Sequence, residues 1–166
     1  ITNSDKKFLI GKELTRGLGC GGFPQKGAEA AQESIQEIKD TIKGTDMAFI
    51  CAGMGGGTGT GAAPVIAQVV KDSGAIVIGT VTMPFSIERA RIDKAEFGLQ
   101  QLRQVADTVI VIDNNRLVNI AGNLPVQQAF AVANELIATM IRGIVETIAV
   151  PSLVNLDYAD VRTIMT

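Results

Sequence analysis

Three short segments of the chain are apolar almost without interruption: residues 47–52 (MAFICA), 75–81 (AIVIGTV) and 109–112 (VIVI). Such runs are typical of strands that are covered on both faces, as in parallel sheets. Between them the apolar positions recur every three or four residues, at 28–42 and again at 92–106, which predicts amphipathic helices. This alternation predicts an α/β fold with a doubly wound, mostly parallel sheet and right-handed crossovers.

A longer pattern follows at 125–150, where apolar residues lie most of the way round a predicted helix. Pro125 suits a first helical turn and Pro151 marks the end, so about 25 residues form a rod of roughly 37 Å. A helix this long and apolar is typically a central helix with partners on several sides, although the pattern also fits an ordinary core helix. Residues 7–10 (KFLI) predict one more strand, and residues 161–166 indicate the start of another amphipathic element.

Two glycine-rich segments carry the strongest chemical signal. Residues 53–61 (GMGGGTGTG) directly follow the first predicted strand and directly precede a helical segment at 62–71. Glycine lets backbone N–H groups approach a polyanion, the helix N-terminus adds partial positive charge, and threonine hydroxyls can donate to phosphate oxygens. Residues 17–22 (GLGCGG) form a second cluster, which alone would equally suit a turn before a helix. Because both loops are expected at strand ends, we predict that they bind different parts of one phosphate-bearing ligand.

Neither of the two common nucleotide fingerprints fits this glycine segment well. A Walker loop requires a lysine directly after the glycines, and the first lysine here is Lys71. A Rossmann pattern is present at Gly57, Gly59 and Ala62, but the next predicted strand ends without an acidic ribose ligand. A dinucleotide-dependent oxidoreductase is therefore a remote alternative. A flexible linker is another, which the position between a strand and a helix disfavours.

The amino-acid composition mainly excludes certain classes of partner and of catalytic site. The 166 residues suit one domain, and 15 Lys plus Arg against 17 Asp plus Glu give no basic field, so we expect neither a nucleic-acid partner nor direct membrane insertion. There is no histidine and there are only two cysteines, which removes zinc sites and histidine-based catalysis and leaves carboxylates, amides, hydroxyls, backbone and a hard metal ion. We assign no residue as a metal ligand. The sequence shows no secretory leader and no apolar run of 18 residues, so we expect a cytoplasmic location.

Several segments together resemble the tubulin superfamily and, within it, the prokaryotic cell-division GTPases of the FtsZ family in an archaeal form. They are GLGCGG at 17–22, GGGTGTG at 55–61, TMPF at 82–85, NNRL at 114–117 and NLDYADVR at 155–162. The resemblance covers nearly the whole chain but only the middle of the family's chain, so we expect a fold truncated at both ends. It implies that residues 1–150 are a partial GTP-binding domain, including the central helix at 125–150. Residues 151–166 would be the synergy loop and the start of a second domain.

The resemblance implies a guanine-nucleotide site. The phosphates of GTP or GDP would lie on the two glycine loops, with residues 19–22 closing over the γ-phosphate. Glu88 would contact the ribose, and Arg91 would lie beside it, although the family usually has one more residue between the two. Phe130 would stack on guanine and Asn134 would bind its edge, whereas the pattern alone favours an ordinary amide at Asn134. The complete implied set is Gly19, Gly21, Gly22, Gly55, Gly56, Gly57, Thr58, Gly59, Thr60, Pro84, Glu88, Arg91, Asn115, Phe130 and Asn134.

The implied catalytic residues are Asn155, Asp157 and Asp160, which would act with Mg²⁺ on the GTP of a neighbouring subunit. The pattern alone favours a helix cap at Asp157 and an exposed first-turn acid at Asp160. The implied partners are guanine nucleotide, further copies of the chain joined head to tail, and accessory proteins of a mid-cell division ring. A non-catalytic fragment that caps filaments is the alternative function.

Overall fold

The computed structural model describes residues 3–122, 124–149 and 158–165. Its elements in chain order are α1 (Pro24–Glu33), α2 (Ile35–Ile42), β1 (Met47–Gly53), α3 (Thr58–Asp72), β2 (Ile76–Met83), α4 (Arg89–Val105), β3 (Thr108–Asp113), α5 (Asn114–Ala121), α6 (Val126–Ala149) and α7 (Tyr158–Met165). The three strands form one parallel sheet in the order β1-β2-β3, in which Met47 pairs with Ile76 and Ile78 pairs with Thr108. The predicted α/β class, with its parallel sheet and long helix, is confirmed.

Helices cover both faces of the central strand β2. Val77 and Val81 pack in the main core with residues of α3 and α4. Ile76 and Ile78 point to the other face, where they pack against Val161 of α7. Successive side chains of a strand point to opposite faces, so a strand covered on both sides is apolar at every position. This explains why the segment 75–81 shows no alternation.

Asp107 ties the amino ends of β2 and β3 to the end of α3. Its carboxylate, only 4% exposed, forms an ion pair with Lys71 and accepts a hydrogen bond from the Val77 N–H at 2.8 Å. The Asp107 N–H donates to the Val77 carbonyl at 2.9 Å. Burial raises the pKa of this carboxyl, but the Lys71 ammonium and the Val77 N–H outweigh burial and hold the pKa below its ordinary value.

Two of the predicted helices have different bounds in the structure. The segment predicted as one helix at 28–42 is divided at Ser34, whose backbone (φ −99°, ψ 17°) leaves the helical region. The helix predicted at 62–71 begins earlier, at Thr58, so its first turn contains glycines. Helix α5 was not predicted at all, because its eight residues follow β3 without a connecting loop.

The predicted strand at 7–10 is wrong. These residues form no strand, and the side chains of Phe8 and Leu9 are 42% and 49% exposed. A strand needs a hydrogen-bonded neighbour, and among the described residues no strand pairs with this segment, since β1 pairs only with β2. The loop at 17–22 therefore does not follow a strand.

Helix α6 agrees with the predicted rod to within a residue at each end. Its buried stripe includes Ala129 and Ala133, and Ile148 packs toward the sheet. Val132 and Leu136 on another side are 37% and 50% exposed. Within the described residues the helix thus has partners mainly on one side, rather than on several sides as predicted.

Candidate functional site

The carboxyl end of β1 and the first turn of α3 form a tight glycine turn. The Gly55 N–H donates to the Thr60 hydroxyl oxygen at 2.9 Å, and the Met54 N–H donates to the Thr82 carbonyl at 2.9 Å. A Cβ on Gly59 would lie 2.3 Å from the Gly53 carbonyl oxygen, so only glycine fits there. Thr60 is 2% exposed, and its hydroxyl therefore holds the turn itself together.

Other parts of this turn are open to a ligand. A Cβ on Gly56 would meet no atom within 4 Å, and the same is true of Gly19 in the second glycine loop. The N-terminus of the 15-residue helix α3 lies directly after Gly57. Uncovered backbone beside a helix N-terminus is the arrangement that binds phosphate groups. The described residues thus provide a surface that fits a polyanion.

The second glycine loop packs directly against the first. A Cβ on Gly57 would lie 2.7 Å from the Cβ of Cys20 and 2.8 Å from the Phe23 nitrogen. Cys20 is buried, and its sulfur accepts a hydrogen bond from the Thr58 hydroxyl at 3.4 Å. The two glycine clusters that the sequence singled out are therefore neighbours, as the sequence analysis predicted.

Helix α4 brings two cations to these loops. A Cβ on Gly55 would lie 3.0 Å from the Cβ of Arg91, which places Arg91 beside the glycine turn. Arg91 also donates to the Glu88 carboxylate at 2.8 Å. The Lys94 Nζ donates to the Gly22 carbonyl at 2.7 Å. The sequence analysis singled out Arg91 but missed Lys94, which no motif marks.

The segment between β2 and α4 carries Pro84 and Glu88. Pro84 lies against the glycine turn, because its Cγ is 3.3 Å from the position that a Gly55 Cβ would take. The Glu88 carboxylate accepts from the Phe85 N–H at 3.1 Å in addition to its contact with Arg91. Glu88 thus shapes the start of α4, and its side chain is 28% exposed.

The start of α5 presents two asparagines with opposite properties. Asn115 is bonded at both ends of its side-chain amide: its oxygen accepts from the Ser86 N–H at 2.9 Å, and its NH₂ group donates to Asp113 at 2.9 Å. Asn114 is 4% exposed, and its Oδ1 has no hydrogen-bond partner among the described residues. A buried polar atom without a partner indicates a place for a missing ligand or water. The sequence analysis placed Asn115 in the site and left Asn114 out, since a sequence does not show which amide is already bonded.

Phe130 and Asn134 lie on the first part of α6. The ring of Phe130 meets the ring of Phe85 edge to face, with 5.6 Å between centroids. Beside Phe85 lies an open cavity of about 660 Å³, which Asn115 also lines. Asn134 is exposed one helical turn after Phe130. An aromatic ring with an amide one turn away can bind a flat heterocycle by stacking and hydrogen bonding.

The remaining predicted residue, Asp160, lies at the opposite end of the sheet. It is in the first turn of α7, whose Arg162 donates to the Gly74 carbonyl at 2.7 Å, just before β2 begins. The Thr108 hydroxyl, at the start of β3, donates to the Met165 carbonyl at 2.9 Å. The seven steps along β2 separate this end from the glycine turn by roughly 23 Å. Asn155 and Asp157 lie outside the described residues.

In the described part of the chain, no group of three or more His, Cys, Asp or Glu side chains could hold a metal ion. None of the helices found there has the length and apolar character needed to cross a membrane.

Comparison with known proteins gives consistent matches. Residues 1–122 match the family model for the Tubulin/FtsZ family, GTPase domain. The chain is 55% identical over 165 residues to cell division protein FtsZ 2 of Methanocaldococcus jannaschii, covering 99% of this chain and 43% of that protein. It is 54% identical to cell division protein FtsZ 1 of Archaeoglobus fulgidus, covering 99% and 45%. The chain thus spans less than half the length of these curated relatives.

The structural comparison agrees. The empty FtsZ dimer of M. jannaschii superposes with a TM-score of 0.92 at 50% identity, covering 99% of this chain and 48% of that chain. CetZ from Methanosaeta thermophila superposes with a TM-score of 0.74 at 25% identity, over 87% of this chain.

Proposed function

The chain belongs to the tubulin/FtsZ family, and from this premise we propose that it binds guanine nucleotide and hydrolyses GTP at the contact between two subunits. The observation that carries the proposal is the pair of packed glycine loops, whose backbone is open at Gly19 and Gly56 beside the N-terminus of α3. This surface suits the phosphates, because uncovered glycine backbone lies beside the N-terminus of a helix.

The nucleoside would lie toward α5 and α6. Phe130 supports the base, Asn134 binds its edge, and Glu88 and Arg91 lie at the ribose. The cavity beside Phe85 and the unpartnered Oδ1 of Asn114 support this placement, since both lie just after the carboxyl ends of β2 and β3, and Phe85 contacts Phe130 of α6 there. Asn114 is therefore a better candidate for a direct contact than Asn115, whose amide is already bonded.

Hydrolysis converts GTP and water to GDP and phosphate, and it needs a group that orients or deprotonates the water. The chain has no histidine, so a carboxylate takes this role, and we assign it to Asp160 with Asn155 and Asp157. The glycine turn and α7 lie at opposite ends of β2. One subunit cannot bring them together, so Asp160 serves the nucleotide of the next subunit. Such a heterologous contact repeats without closing and forms filaments.

Magnesium fits this site as a companion of the nucleotide. The described residues offer no cluster of carboxylates for it, and Mg²⁺ commonly binds through substrate phosphates and water. When bound, it neutralises charge on the phosphates. We further propose that the protein acts in the cytoplasm at a mid-cell division ring together with accessory proteins; the relatives that it matches are named cell division proteins.

The decisive experiment measures GTP hydrolysis per subunit of the purified protein against protein concentration. We expect the rate to rise above a critical concentration and to fall about 100-fold in Asp160→Ala, while GTP affinity stays unchanged. Glu146→Ala, which removes an exposed carboxylate from α6, is the matched control and keeps full activity. A rate per subunit that is independent of concentration would contradict a shared site. Tight GTP binding without turnover at any concentration would favour the non-catalytic capping function instead.

A further inference from the structure

Lys94 contacts the loop at 17–23 rather than a carboxylate. Its Nζ donates to the Gly22 carbonyl at 2.7 Å, across 72 positions of the chain, and lies 5.7 Å from the centre of the Phe23 ring. Ion pairs in the described part of the chain include Lys12 with Glu37, Lys71 with Asp107, and Arg91 with Glu88. Lys94 thus has no paired carboxylate among these residues, and its charge is available to a ligand.

The loop that Lys94 holds has an unusual backbone. Positive φ angles between 51° and 78° occur at Arg16, Gly17, Gly19, Gly21 and Gly22. Glycines of this kind leave the chain many conformations, so a defined position requires outside contacts. Cys20 against Thr58 and Phe23 against Gly57 are two such contacts, and both are uncharged. Lys94 adds a charged hydrogen bond to the loop backbone.

The position of the ammonium group also suits a phosphate. An ammonium has three N–H donors, and the Gly22 carbonyl uses one of them. The Nζ lies 3.6 Å from the point that a Gly22 Cβ would occupy, so it is beside the last glycine of the loop. The turn at 53–61 has no lysine of its own, whereas a Walker loop carries one directly after its glycines. Lys94 thus brings an ammonium group from α4 to the second glycine loop.

We propose that Lys94 is a positioning residue for the terminal phosphate. It holds the loop at 17–23 closed and supplies positive charge, and it thereby makes the site prefer a nucleoside triphosphate over a diphosphate. This inference rests on the proposed function, because it concerns the γ-phosphate of the same ligand. A purely structural lysine would stabilise the fold but would leave the preference between the two nucleotides unchanged.

Two lysines allow a matched comparison. Lys26 also lies over the Phe23 ring, at 5.5 Å, and no hydrogen bond to the loop is found for it in the described residues. Lys94→Met keeps the aliphatic packing on Phe23 and removes the charge and the donors. Lys94→Arg restores both. Lys26→Met removes a cation from the same ring without touching the Gly22 carbonyl.

The experiment measures the dissociation constants of a fluorescent non-hydrolysable GTP analogue and of the matching GDP analogue for the purified protein and these variants. We expect Lys94→Met to weaken the triphosphate about tenfold and the diphosphate less than about twofold. Lys94→Arg should recover most of the loss, and Lys26→Met should leave the ratio of the two constants as in the unmodified protein. Circular dichroism confirms folding of each variant, and Lys94→Gln replaces Lys94→Met if the latter does not fold.

An unchanged ratio in a folded Lys94 variant overturns this inference and leaves the proposed function standing. If the unmodified protein binds neither nucleotide, the proposed function fails, and the role of Lys94 fails with it. An equal change in both Lys94→Met and Lys26→Met also overturns the inference, because it would show that the Phe23 ring, and not the bond to Gly22, is responsible.

Discussion

The glycines of the candidate site have different structural roles, although they cannot be distinguished in the sequence. Gly59 is required for packing, because its position lies against the Gly53 carbonyl. Gly56 has open space around it and is free for a ligand. The sequence indicated that the whole glycine cluster binds phosphate. It could not show which glycines are confined by packing and which are open to a ligand, because this depends on the atoms that the fold brings within a few ångström.

This division predicts two different outcomes for the same substitution. Gly59→Ala should destabilise the protein by about 2 kcal/mol, because the new methyl would overlap a backbone oxygen. Gly56→Ala should leave the melting temperature nearly unchanged but weaken GTP binding about tenfold, because the methyl covers the N–H surface offered to phosphate. Thermal melts and nucleotide titrations of both variants test this. Equal melting temperatures would show that Gly59 is not confined as described.

Asp107 is a residue whose charge state affects stability. Its folded pKa lies below the ordinary value, so its contribution is present above about pH 4 and is lost as the pH falls below that value. Asp107→Ala should cost about 2 kcal/mol at pH 7, because the Val77 N–H and Lys71 lose their buried partner.

Urea denaturation between pH 3 and pH 7 tests this prediction. The control is Asp72→Asn, which changes an exposed acid that accepts a hydrogen bond from Gln68 at 2.7 Å and should cost less than about 0.5 kcal/mol. An equal loss in both variants at pH 7 would contradict a special role for the buried carboxyl.

At the scale of elements, the sequence predicted best where burial is complete. β2 is covered on both faces, so its apolar run was unambiguous, and α6 is long enough for its pattern to show. The segment at 7–10 failed because four apolar residues give strand character without providing a neighbouring strand. α5 was missed because its eight residues follow β3 without a loop, although Asp113 caps the helix by accepting the Asn115 N–H.

Phe130 is the residue of helix α6 that we place against the guanine base. Phe130→Ala should weaken binding of GTP and GDP equally, by about tenfold, because stacking on the base is lost in both. Val132→Ala, on an exposed part of the same helix, should leave both affinities unchanged. Titration of the two nucleotides against each variant gives the result. A loss confined to GTP would instead connect Phe130 with the phosphates.

For the whole molecule, the proposed mechanism predicts that two inactive variants complement each other and restore GTP hydrolysis when they are mixed. Asp160→Ala keeps an intact glycine end, and Gly56→Asp keeps an intact α7 while placing a carboxylate against the phosphates. Each alone should be inactive. An equal mixture should recover up to about a quarter of the normal rate, because one contact in four then joins two intact halves. Hydrolysis assays of the mixture test this, and no recovery at high concentration would contradict a site shared between subunits.

All three strands of the sheet run in the same direction, so the two ends of each subunit are chemically unlike. In the proposed filament one tip exposes glycine-lined backbone and the other exposes Asp160. Addition and departure of units need not occur at the same speed at the two tips, and one tip can lengthen while the other shortens. In the proposed filament, the common direction of the strands in each subunit thus gives the whole assembly a structural polarity, with two different ends.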